Sequence, residues 1–279
     1  MVDKLMNDNL VSSTARWTAA ARALESVRED RLFNDPWAAA LAGAEGMAWA
    51  ENRPIDGLAP IILRIRYFDE FLQRIIREYS INQVVLMACG FDTRAFRLDW
   101  PAGTNLFELD QAGILQEKDG ILHSAGARPT CIRHTIEANL TNPWMEYLTK
   151  AGFDPKQPSI WLLEGFLFYL SSETIKRILG EVNSLSFPGS WLGFDIINTI
   201  TLTSPYTKQW IEMQANSGAP WIGSLDDPVG FLASLGWKAM LSQAGQPDAN
   251  HGRWHLPVIP VDMAGMPHNW FVTAKKESH

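Results

Sequence analysis

The chain has 279 residues, long enough for one large domain or two small ones. Its 46% apolar and 20% charged residues are ordinary for a globular protein. A net charge of −7, with Lys and Arg scattered rather than in runs, argues against nucleic acid as a partner, because phosphate binding needs a basic patch.

Residues 1–10 are polar, are expected to be mobile, and carry no apolar signal-peptide region. The longest apolar runs fall far short of a membrane span. Cys89 and Cys131 are too few for a disulfide framework and are expected in two core strands as free thiols. Together these features read as a soluble cytoplasmic protein with no membrane partner. Ser12 and Ser13 suit the cap of an alanine-rich helix running through Ala15 to Glu25. Asn34-Asp35-Pro36 reads as a turn, with Pro36 at the first position of a helix from Trp37 to Leu41. Gly43, Gly46 and the segment Asn52 to Pro60 read as a loop. From Ile61 to Tyr79 the spacing predicts a strong helix. Ile61, Ile65, Phe68, Leu72, Ile75 and Tyr79 should face the core, with Arg64 and Tyr67 on an adjacent stripe.

An alternation then begins. Strands are predicted near 83–88, 104–109, 130–136, 159–164, 190–197, 237–241 and 269–275, with helices near 92–97, 111–119, 142–151, 171–185 and 227–235. This pattern predicts an α/β fold with a doubly wound, seven-stranded, mostly parallel sheet. Only a turn-rich linker, Gly245 to Pro260, separates the last two strands, which suits an antiparallel final pair. The segment from Asn198 to Asp227 breaks the alternation. It holds a predicted helix from Pro205 to Asn216 and reads as a lid over the C-terminal strand ends. The expected organisation is a single domain over 1–279. It comprises an N-terminal helical cap (1–80), a cofactor-binding core (81–197), a lid insertion (198–227) and a C-terminal helix and strand pair (228–279).

The most informative stretch is Gln83 to Leu98, QVVLMACGFDTRAFRL. An uncharged strand runs into a small-residue corner, Ala88-Cys89-Gly90, and Asp92 and Thr93 offer helix N-caps beyond it. Such a corner brings backbone N–H groups close to a ligand. A second strand, LFELD, ends in Asp110, 20 residues past Gly90, where a carboxylate can accept from both ribose hydroxyls. The turn is not G-x-G-x-x-G, which disfavours a dinucleotide. A ribose-bearing cofactor without phosphates, such as S-adenosyl-L-methionine, fits better. Phe91 and Phe96 read as core, and Asp92 as a loop brace.

The blocks STARWTAAARALES with LFNDPWA, RIRYFDEFL, VVLMACGFDTRAFRL, LFELDQ and WLLEGFLFYL, in that order from about Ser13 to Leu170, resemble the leucine carboxyl methyltransferase family, and most closely its bacterial small-molecule branch. FLASLGW and MPHNWFVTAKK extend the likeness towards the C-terminus. The resemblance implies that Arg64 clamps the carboxylate of S-adenosylmethionine and that Arg16 also reaches it. A helix-surface charge is the plainer reading of either. It implies that Glu164 meets the cofactor's amino group, against a salt bridge to a lid arginine. Asn139-Leu140 stands where the family has Asp-Leu, so the Asn139 amide oxygen would accept from the adenine amino group. Ala88 stands where the family has glycine. If the position needs positive φ the alanine is strained; smallness is the favoured reading.

Methyl transfer from a sulfonium is an in-line displacement. A carboxylate acceptor, with a pKa near 4, needs no base, whereas a phenol near 10 benefits from one. His255, His251 and Tyr169 are weak candidates for a base, so no catalytic residue is assigned. No histidine pair has metal-ligand spacing, and no metal is expected. The expected activity is O-methylation of a carboxylate or hydroxyl on a hydrophobic small molecule of secondary-metabolite type. Tyr169, Tyr206, Trp210, Trp221 and His255 are the acceptor-pocket candidates. A protein C-terminal carboxyl methyltransferase and a non-catalytic cofactor-fold binding protein are the alternatives, and the oligomeric state, monomer or homodimer, stays open.

Overall fold

The computed structural model describes residues 8–53 and 57–278, with side chains from Ser13 onward. The expectations for residues 1–7 and for the middle of the 52–60 loop lie outside these described residues. In chain order the elements are α1 (Asp8–Ser26), α2 (Ala38–Glu51), α3 (Ala59–Tyr79), β1 (Gln83–Met87), α4 (Arg94–Arg97), β2 (Asn105–Asp110), α5 (Ala112–Ser124), β3 (Ile132–Glu137), α6 (Met145–Lys150) and β4 (Ile160–Leu163), then α7 (Ser172–Leu185), β5 (Trp191–Ile197), α8 (Thr199–Thr203), α9 (Lys208–Asn216), α10 (Pro228–Ser234), β6 (Trp237–Ser242) and β7 (Asn269–Lys276).

The seven strands form one sheet in the order β3-β2-β1-β4-β5-β7-β6. The first five strands run parallel, and β7 lies antiparallel to both β5 and β6. All seven predicted strands are present. The uncharged run in β1 follows from its place in the middle of the sheet, because both of its faces must be covered. Val84 and Leu86 join Phe68, Leu72 and Ile75 of α3 on one side. Val85 and Met87 join Ile175, Ile178 and Val182 of α7 on the other. Two-residue strand periodicity thus divides one run between two cores.

The strand order reverses between β1 and β4, which opens a crevice at the carboxyl ends of the strands. Met87 is opposite Leu109, and Leu163 is opposite Phe194, so these ends lie along one edge of the sheet. Because β7 is antiparallel, its first residue, Asn269, pairs with Ile197 and reaches the same edge.

The helices differ from expectation in places. α1 begins at Asp8, so Ser12 and Ser13 lie inside it rather than at its cap. α2 begins at Ala38, two residues beyond Pro36, and continues through Gly43 and Gly46 to Glu51. Gly43 kinks it at φ 60°, and Gly46 serves close packing rather than a loop: a Cβ there would lie 2.7 Å from the Arg16 carbonyl oxygen. Tyr79 is 43% exposed rather than core, resting on the Trp191 ring at 5.2 Å. Phe91 and Phe96 are core as expected. Cys89 and Cys131 are free thiols, but each lies just outside a strand and only half-buried. The insertion contains two helices, α8 and α9, rather than one. No described helix is long and apolar enough to cross a membrane.

Candidate functional site

The crevice is built first by the turn after β1. Gly90 adopts φ +48°, and its N–H donates to Asp110 Oδ2 at 2.7 Å. The other oxygen, Asp110 Oδ1, accepts from the Gln111 N–H at 2.7 Å. The acid at the end of β2 therefore braces the corner after β1, and each oxygen keeps lone-pair capacity for a ligand. Burial pushes the Asp110 carboxyl above the usual carboxylate value, outweighing the two N–H donors.

Ala88 corrects one expectation. Its φ is +50°, so the position demands a left-handed backbone and not merely a small side chain. An L-residue there costs roughly 1–2 kcal/mol, part of which a glycine would return as unfolded-chain entropy. Ala88→Gly is therefore expected to raise stability by about 0.5–1 kcal/mol, read as a higher urea midpoint at unchanged slope.

A lattice of buried charges forms the floor. Arg64, from α3, donates from Nε to Glu164 Oε1 at 3.0 Å and from Nη1 to Asp195 Oδ2 at 2.9 Å. Arg94, 1% exposed, donates from Nη2 to Glu164 Oε2 at 2.7 Å and from Nε to Asp69 Oδ1 at 2.7 Å, and it also pairs with Asp92. Arg97 holds Asp69 through both terminal nitrogens, at 2.6 and 2.8 Å. Glu164 thus bridges two arginines, one on α3 and one on α4. Asp195 also accepts from the Gly165 N–H at 2.6 Å. Gly165 has φ +68°, and a Cβ there would lie 2.9 Å from Arg64 Nη2, so the glycine after Glu164 leaves room for the guanidinium. Burial disfavours the Arg64 charge, yet Asp195 and Glu164 outweigh it and raise its pKa. Burial raises the Asp195 carboxyl despite Arg64.

Asp92 braces the loop as expected, accepting from the Arg94 N–H at 2.6 Å. Burial alone would raise its carboxyl. The charges of Arg94, Arg97, Lys118 and Arg22 prevail and hold it at about 2. A folded-state pKa below the unfolded value of 3.8 gives stability that is present above about pH 4 and is lost as pH falls towards 2. This carboxyl should contribute about 2 kcal/mol to that acid limb. In Asp92→Asn the limb should flatten, and the two stability curves should converge near pH 2 in acid titrations followed by circular dichroism.

A cavity of about 250 Å³ opens above this floor. Ala88, Gly90, Asp110, Leu140 and Glu164 line it, as do Arg64, Asn139, Tyr169, Trp210 and Trp221. Three candidates lie elsewhere. Arg16 pairs with Glu117 and the Leu41 carbonyl and sits over the Phe91 ring, so α1 offers Trp17 and Arg22 to the cavity instead. Tyr206 is 82% exposed, in the turn between α8 and α9, and points to solvent. His255 is exposed on the late linker, away from the cavity lining. Asn139 Oδ1 already accepts from the N–H and the hydroxyl of Thr141, so the group it has left to offer is its NH₂. The sequence reading missed Arg94, Asp69 and Asp195. The available signal was a charge recurring inside otherwise apolar blocks: Arg94 in GFDTRAF, Asp69 in RYFDEFL and Asp195 in GFDII.

These residues fit S-adenosylmethionine. Asp110, at the end of β2, lines the cavity with a carboxylate that can accept from hydroxyls. Arg64 Nη2 has no protein partner among the described residues and remains available to a carboxylate. Met87, Leu140 and Phe166 supply apolar surface for a purine.

Residues 15–183 match the model of the leucine carboxyl methyltransferase family. A protein of Mycolicibacterium smegmatis named as an S-adenosyl-L-methionine-dependent methyltransferase is 35% identical over 276 residues, covering 91% of this chain and 92% of its own. One of the same description from Parafrankia sp. is 43% identical over 239 residues, covering 82% and 77%. Among solved structures, a methyltransferase of Thermobifida fusca superposes with a TM-score of 0.58 at 15% identity, over 95% of each chain. Magnesium protoporphyrin IX methyltransferase of Synechocystis, solved with bound SAH, superposes with a TM-score of 0.51 at 10% identity, over 84% of this chain and 95% of its own. These distant structures share the fold.

Proposed function

Because the chain belongs to the leucine carboxyl methyltransferase family, whose relatives are S-adenosylmethionine-dependent methyltransferases, we propose that it methylates a carboxylate or hydroxyl oxygen of a hydrophobic small molecule of secondary-metabolite type. The observation that carries this reading is the aromatic roof of the cavity. Trp210 of α9 meets Trp221 edge-on at 5.9 Å, and Trp221 packs on Phe168 at 4.2 Å. Trp17 and Trp49, which also line the cavity, stack at 5.1 Å. A cavity lined by these rings suits a compact apolar acceptor.

When bound, S-adenosylmethionine supplies a methyl group activated by its sulfonium. The protein's part is positioning. Asp110 would hold the ribose, and Arg64, itself fixed by Glu164 and Asp195, would hold the methionine carboxylate. No histidine lines the cavity among the described residues. Burial pushes the Tyr169 phenol above its usual value, so it serves as a donor at neutral pH rather than as a base. A carboxylate acceptor, already ionised, suits such a site better than a phenol.

The test is incubation with methyl-labelled S-adenosylmethionine and either metabolite or protein extracts, followed by mild alkali. Label in the organic phase, released as methanol by alkali, supports carboxyl methylation. Alkali-stable label supports hydroxyl methylation. Transfer to polypeptide alone overturns the small-molecule reading, and no transfer at all favours a binding protein.

A further inference from the structure

Among the described residues, several polar groups that line the cavity lack protein partners, the indole nitrogens of Trp49 and Trp221 among them. Gln214, on α9, is 7% exposed and lines the cavity, and its side-chain amide makes no hydrogen bond among the described residues. Asn269, at the head of β7, also lines the cavity, and its Oδ1 is buried without a partner. A buried polar atom left unpaired costs about 1–3 kcal/mol, so the Asn269 oxygen points to a ligand that satisfies it, and the Gln214 amide lines the same cavity. Neither belongs to the turn, the Asp110 brace or the arginine lattice that serves the cofactor. Gln214 shares its helix with Trp210 and so stands in the aromatic roof.

The charge around them is balanced. Arg22 pairs with Asp35, Arg94 with Asp69, Asp92 and Glu164, and Arg97 with Asp69. Arg64, whose Nη2 has no protein partner among the described residues, is already assigned to the cofactor. The acceptor end therefore offers neutral hydrogen-bonding groups and aromatic faces, and no uncommitted cation.

Resting on the small-molecule reading, we infer that Gln214 and Asn269 are the polar anchors of the acceptor subsite. The ligand class they imply is a flat conjugated ring system carrying an uncharged hydrogen-bonding group, such as a hydroxyl, remote from the oxygen that is methylated. The ring packs against the tryptophan and phenylalanine faces. A hydroxyl on the ligand can donate to the Asn269 oxygen or accept from the Gln214 NH₂. Acceptors lacking such a group leave the Asn269 oxygen buried and unpaired, which is a stronger basis for rejection than shape alone.

The probes are 6-hydroxy-2-naphthoic acid and 2-naphthoic acid, titrated calorimetrically into protein saturated with S-adenosylhomocysteine. The hydroxylated acid should bind about 10- to 100-fold more tightly. In Gln214→Met, and separately in Asn269→Ser, the ratio should fall below about threefold while S-adenosylhomocysteine affinity stays at the wild-type value. Equal binding of the two acids by wild type, binding of neither, or a ratio that survives both substitutions overturns the assignment. If S-adenosylhomocysteine itself fails to bind, the cofactor reading has failed instead. The same pair titrated into free protein then decides the subsite by the same criteria.

Discussion

Arg94→Met should lower stability by about 3–5 kcal/mol and the thermal midpoint by roughly 6–15 °C. The Arg94 guanidinium is 1% exposed and is shared by Asp69, Asp92 and Glu164, with a further hydrogen bond to the Ile65 carbonyl. Methionine nearly fills the volume, so the expected loss is electrostatic. Among the described residues, Asp69 would keep Arg97 and Glu164 would keep Arg64 as direct partners, while Asp92 would lose its ion pair. Removing one member of a buried network leaves uncompensated charge, which costs far more than an exposed pair contributes. Arg94→Lys should fall between the two, since one ammonium cannot serve three carboxylates in the fixed geometry of a guanidinium fork. S-adenosylhomocysteine affinity should fall as well, because Arg94 holds one oxygen of Glu164 while Arg64 holds the other. A denaturant midpoint for Arg94→Met within about 1 kcal/mol of wild type would show that the lattice is not what fixes the floor of the site.

Asp110→Ala should weaken S-adenosylhomocysteine binding by at least about 100-fold in calorimetry, because two hydrogen bonds from ribose hydroxyls to a charged group contribute roughly 1.5–3 kcal/mol each. The effect on stability should be far smaller, since the Gly90 and Gln111 N–H groups that lose Asp110 can turn to water at the cavity. Asp110→Asn, which keeps one acceptor oxygen, should retain intermediate affinity. The pH dependence has a defined sign. Burial raises the folded-state pKa of Asp110 above 3.8, so binding should be full at neutral pH and fall as pH drops through that raised value, before other carboxylates of ordinary pKa are protonated. Equal affinity in wild type and Asp110→Ala would move the ribose site elsewhere.

The sheet was legible because each strand carries its own signal. The run Val84 to Met87 has no charge, and a strand covered on both faces has no place for one. Asp110 was legible by its distance from the turn, as was Glu164 by its position at the end of an apolar strand. Leu140 was legible through its family block. The route of α2 was not, because glycine stops a helix in isolation. Gly46 is retained only because α1 packs against it, a contact made by the Arg16 carbonyl 30 residues earlier. The reach of Arg16 was misread for a related reason: its partner, Glu117, lies 101 residues away. Tyr206 and His255 have suitable chemistry, but loop geometry directs them to solvent.

What the sequence by itself determined was the strand order of events along the chain, the family and the cofactor, since these depend on local periodicity and on short blocks with fixed internal spacing. What only the tertiary structure decided was which charges meet. Arg64 and Asp195 are 131 residues apart, Arg94 and Glu164 are 70 apart, and Gln214 and Asn269 share a cavity across separate elements. Pairing energies of buried groups depend on distance and solvent exclusion through space, and no local pattern encodes either.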